Sequence, residues 1–243
     1  MRTLICFVAA LCLSPASSLA ADLTALETRW VRGIWPVVAF ARAASVPLDI
    51  VVQPQPTPGA APLALGFVDG RCKMVLSMRG NDEAQATLDR IEPDLLDAAL
   101  ELMAAHELGH CRRYLDGTWM TSPARFNPDA PATRRGDLAD AYRGMRAVRR
   151  EEGYADLVGL AWTWQRHRSR YARLHAWLLA ERGRDLIPGS HHDTLAWVRL
   201  AQNGGALSRA SIFDAAAALW GDAIERSESD ASAPEGGAGG TFR

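Results

Sequence analysis

Residues 106–110 read His-Glu-Leu-Gly-His. On a helix, positions four apart share a face, so the imidazoles of His106 and His110 can meet one ion. Glu107 is turned about 100° from His106. There its carboxylate can take a proton from water on a metal without occupying the metal. At average composition such a five-residue pattern arises by chance in on the order of one chain in a hundred. The alternative is a surface helix with two ordinary histidines. The neighbours argue against it, because Leu95, Ala99, Leu102 and Met103 form an apolar face that buries one side of the same helix.

A catalytic zinc needs a third protein ligand and an open position for water. Downstream lies Arg150-Glu151-Glu152-Gly153-Tyr154-Ala155-Asp156, on a second predicted helix. Glu152 and Asp156 are four apart and share a face. Glu152 can complete the metal site, while Asp156 can accept the N–H of a ligand histidine and fix its tautomer. Two acids at this spacing alone would read as a solvated face, and the upstream HExxH shifts the reading to a ligand set. Glu151 is the next-best third ligand, since adjacent acids differ in register by one residue.

HExxH followed on a later helix by Glu-x-x-Ala-Asp resembles the gluzincin metallopeptidases, particularly the soluble periplasmic relatives of the CAAX-prenyl-endopeptidase-like family. The resemblance covers roughly residues 70–200, and only its two motifs are sharp. It implies zinc (Zn2+) held by His106, His110 and Glu152, Glu107 as general base, and Asp156 behind a ligand histidine. The membrane members of that family carry several transmembrane helices and this chain shows none after its N-terminal segment, so no prenylated substrate is carried over. His191-His192, with Arg199 seven residues after His192, resembles a family His that shortly precedes an Arg at slightly closer spacing. A histidine there can stabilise the oxyanion of a tetrahedral intermediate; a capping or surface pair is the alternative. The strand Cys72–Ser77 sits where zincins have an edge strand that binds extended peptide, or is an edge strand with a structural role alone.

The elements that must position these groups follow from periodicity. Leu26, Trp30, Ile34, Val37 and Val38 recur at helical spacing between Asp22 and Ala44. Short runs at 48–52, 63–68 and 72–77 read as strands of one small sheet, the last two joined through Asp69-Gly70. Asp94 is a candidate N-cap for the motif helix, which Asp116-Gly117 ends. Residues 118–136, with three prolines, read as a loop. Helical patterns follow from about Asp137 through Trp164, over Tyr171–Leu179, and near 192–202 and 209–226. The Ser-, Gly- and Ala-rich tail 227–243 reads as disordered. A small sheet followed by helices predicts an α+β, mainly helical domain over residues 21–226.

The chain has 243 residues, 48% hydrophobic and 23% charged, with a formal net charge of -1. That composition suits one soluble globular core and gives no global drive toward nucleic acid or anionic membrane. Arginine stripes at 143, 146 and 150 and at 166, 170 and 173 read as solvated faces. Arg2, the apolar run Leu4–Leu13 and Ser18-Leu19-Ala20 fit a cleaved export signal over residues 1–20. Its removal leaves Cys72 and Cys111 as the two cysteines, in a compartment where disulfides persist, and one bridge between them is expected. The sequence therefore predicts a periplasmic or secreted zinc peptidase acting on a peptide or protein, with no stable membrane insertion. Its rivals are an idle envelope protein with a structural or protein-binding zinc site, and a chance HELGH without metal.

Overall fold

The computed structural model describes residues 22–54, 60–118 and 138–221, with side chains from 144 onward in the last of these. The expected export signal at 1–20, the expected disordered tail 227–243 and the expected loop beyond Thr118 lie outside the described residues.

Helix α1 (Ala25–Ala43) starts at a capping box: Glu27 N–H donates to Thr24 Oγ1 at 3.1 Å, and Thr24 N–H donates to Glu27 Oε2 at 2.7 Å. Arg79, at the end of the sheet, closes on the same buried Glu27 carboxylate at 2.8 and 3.0 Å. Trp30, Ile34, Val37, Val38 and Ala41 form the buried stripe that the spacing predicts. Strands β1 (Leu48–Pro54), β2 (Leu63–Val68) and β3 (Arg71–Arg79) make a mixed sheet of order β1-β3-β2. β1 runs parallel to β3, and β2 is antiparallel to it through a tight turn in which Asp69 (φ 51°) and Gly70 (φ 71°) are both left-handed. Cys72, Met74 and Leu76 point into the core together with Leu63 and Leu65 of β2.

This order corrects one expectation. The strand at 72–77 is the centre of the sheet, so its backbone is already paired on both sides and cannot add a peptide strand. A parallel β1–β3 pairing, which needs a crossover, left no local signal in the sequence.

Short α2 (Asp82–Asp89) leads to α3 (Leu96–Leu115), α4 (Leu138–Arg166), α5 (Tyr171–Gly183), α6 (Leu195–Leu200) and a helix α7 over 212–221. Together these form the mainly helical α+β architecture expected. The motif helix opens at Leu95 without a side-chain cap, and Asp94, the expected cap, instead pairs with Arg173 at 2.6 Å. It ends, as predicted, at Asp116 and left-handed Gly117 (φ 71°). No helix among the described residues is long and apolar enough to cross a membrane.

α3 packs most extensively on α4, and glycines set the separation. A Cβ on Gly109, the fourth residue of HELGH, would lie 3.1 Å from Ala155 Cα, and one on Gly159 would lie 2.9 Å from the Leu102 carbonyl oxygen. The helices therefore meet backbone to backbone, which brings the acids of α4 to the histidines of α3. On the other side, Cys111 of α3 is bonded to Cys72 of β3, with Cα atoms 5.7 Å apart.

Two outcomes test this arrangement. Gly159→Ala should lower stability by about 1–3 kcal/mol, since the backbone must move to admit a methyl, measured by denaturant unfolding. The unreduced, denatured mature protein should contain no alkylatable thiol, and replacing both cysteines by alanine should cost roughly 3–4 kcal/mol for a loop of this length.

Candidate metal centre

His106, His110 and Glu152 converge in the seam between α3 and α4, and their ligand atoms all lie within 4.8 Å of one another. His106 Nε2 is 3.1 Å from His110 Nε2 and 3.5 Å from Glu152 Oε2, and His110 Nε2 is 3.7 Å from Glu152 Oε1. Ligands about 2.0–2.1 Å from a tetrahedral ion stand about 3.4 Å apart, so the three separations bracket the edge such an ion requires. All three residues are buried, at 8%, 7% and 2% exposure. Two nitrogens and a carboxylate oxygen at this spacing could hold a divalent metal ion.

Asp156 stands behind the histidines with no exposure. Its Oδ1 is 2.9 Å from His106 Nδ1. A carboxylate only accepts, so Nδ1 carries the proton and Nε2 is turned to the cluster. Arg182 of α5 grips the same carboxylate, through Nε at 2.9 Å and Nη2 at 2.5 Å, and Thr194 Oγ1 donates to Oδ2 at 2.6 Å. Burial pushes the Asp156 carboxyl upward, but the Arg182 charge and the His106 bond more than reverse this and hold it well below the usual carboxylate range. Burial also opposes a charge on His106. The bonds to Asp156 and Glu152 outweigh it and lift the metal-free imidazole to about 9. Without a cation, a proton therefore takes its place in the cluster.

The adjacent acids separate cleanly. Glu151 turns away and receives Arg113 at 2.7 and 2.8 Å, while the Arg113 guanidinium lies 5.3 Å from the Tyr154 ring and 4.8 Å from the Trp220 ring. Trp220 Nε1 donates to the Arg150 carbonyl at 2.7 Å, which docks α7 on the same turn. Glu107 is half-buried, and its charge reaches both His106 and Arg182. His192 holds Nδ1 3.8 Å from Glu152 Oε2 with its side chain 53% exposed, and the His191 ring lies 4.1 Å from its own. Arg199 sits on the exposed side of α6.

Arg182 and Thr194 escaped the sequence reading. One signal pointed to Arg182: it continues the buried stripe Tyr171, Leu174, Leu178 of α5, and a charge on such a stripe demands a buried partner. Thr194 gave no comparable signal.

Glu152→Ala should remove most of the affinity for zinc, Asp156→Asn should lower it about 10- to 100-fold, and Glu151→Ala should leave it nearly unchanged while destabilising the fold; a zinc-competition titration ranks the three. Binding should also release about one proton per zinc at neutral pH, since the cation replaces the His106 proton, which calorimetry in buffers of different ionisation enthalpy measures. No family model, no curated protein and no solved structure matches the chain.

Proposed function

We propose that the chain is an exported zinc-dependent peptidase of gluzincin type. The observation that carries this reading is a three-residue His-His-Glu cluster with an adjacent carboxylate that belongs to none of its ligands, Glu107. A structural zinc site closes with a fourth protein ligand and has no use for a base. His106, His110 and Glu152 would hold the zinc, which when bound would supply a Lewis acid and an activated water.

The protein's own groups then divide the work. Glu107 takes a proton from the attacking water and delivers it to the leaving amine. Asp156, fixed by Arg182 and Thr194, holds the His106 ring in the orientation that serves the ion. His192, beside Glu152 and exposed, donates a hydrogen bond to the developing oxyanion. The Cys72–Cys111 bridge supports an oxidising compartment, in line with the N-terminal export pattern and a periplasmic or secreted site of action. The substrate is a peptide or protein.

Glu107→Gln separates this reading from an idle zinc-binding protein. The variant should bind zinc and unfold like the wild type, yet lose at least about 10²–10⁴ in kcat/KM on any peptide the wild type cleaves. Undiminished hydrolysis in the variant would exclude the proposed base.

A further inference from the structure

Arg149 shares a face of α4 with the site's acids, preceding Glu152 by three residues and Asp156 by seven. One turn further back the stripe continues to Met145, which is 38% exposed. Contacts place Arg149 at the rim of the site independently of this spacing. His192 is 3.8 Å from Glu152, and its neighbour Asp193 brings Oδ2 to 3.7 Å from Arg149 Nη1. That approach is too long for a hydrogen bond, and the same oxygen already accepts the Gly189 N–H at 2.9 Å.

Arg149 Nε is meanwhile buried and meets no acceptor. A second donor, on α6, is in the same condition. The Trp197 ring lies against Gly153, where a Cβ would come within 2.5 Å of it; the residue is 8% exposed and its indole N–H has no acceptor. Buried donors without acceptors are rare. At Arg149, a cation at the rim of the candidate metal centre, such a donor calls for an acceptor that arrives with a ligand.

We propose that Arg149 anchors a carboxylate of the peptide substrate within about two residues of the scissile bond. One turn of helix, about 5 Å, separates Arg149 from Glu152, and an extended peptide advances about 3.3 Å per residue. A guanidinium matches a carboxylate with two parallel N–H bonds. The carboxylate comes either from the free C-terminus or from an Asp or Glu side chain. The inference rests on the peptide-hydrolysing reading of the site and narrows its substrate.

Three acetylated alanine pentapeptides test it: one with a free carboxyl terminus, one amidated, and one amidated with Asp as the last residue. Binding to the zinc-loaded full chain carrying Glu107→Gln is followed by calorimetry. At least one carboxylate peptide should bind about tenfold tighter than the neutral one, and the peptide that gains identifies the source. Adding Arg149→Gln should erase the preference without changing the melting temperature, and Arg149→Lys should keep it in weaker form. Equal binding of all three, binding of none, or a preference that survives Arg149→Gln would overturn the anchor. A carboxylate preference that needs Arg149, in a wild type that cleaves none of the three, would keep Arg149 as a carboxylate-binding group and overturn its placement beside a scissile bond together with the peptidase reading. Wild-type cleavage of the neutral peptide as fast as the acidic ones would keep the peptidase reading and overturn the anchor.

Discussion

A carboxylate cut off from water must be compensated within the protein, and Asp156 has no exposure at all. Its compensation comes from three other elements: His106 of α3, Arg182 of α5 and Thr194 at the start of α6. One side chain of α4 thereby ties four helices at a single point. Removing any donor leaves a buried charge short of a partner, so the arrangement tolerates little slack. The orientation of His106, and with it the cluster, is a consequence of satisfying that carboxylate.

The charge around the centre is unbalanced without a cation. Glu107, Glu152 and Asp156 contribute three negative charges and Arg182 one positive, leaving -2, of which the His106 proton offsets only one in the metal-free site. A divalent ion brings the sum to zero, and this electrostatic demand agrees with the spacing of the ligand atoms. The close packing of α3 on α4 at Gly109 and Gly159 makes the demand geometric too, because wider helices would part the histidines from Glu152. The Cys72–Cys111 bond fixes the opposite face of α3 to the central strand, so the motif helix is held from both sides.

Much of this was legible in the sequence because it is local. The i,i+4 spacings of His106 with His110 and of Glu152 with Asp156, the Asp69-Gly70 turn and the stripe of α1 each follow from backbone periodicity. The choice of Glu152 over Glu151 was legible through Asp156, and the structure supplies the physical reason: Glu151 is committed to Arg113. What the sequence hid is long-range. The parallel pairing that makes β3 central joins residues with no local signal, and Asp94, the expected cap, instead pairs with a distant arginine, Arg173. Arg182 and Thr194 belong to the same class, since their roles exist only once α5 and α6 have folded over Asp156.

The spacing of the ligand atoms and the negative charge around them both call for a bound cation, and elemental analysis of the protein, purified under metal-replete conditions without chelators, measures it directly. The account predicts about one zinc per chain, as in other sites of this ligand set. Protein that is folded and disulfide-bonded but carries no stoichiometric metal would contradict it.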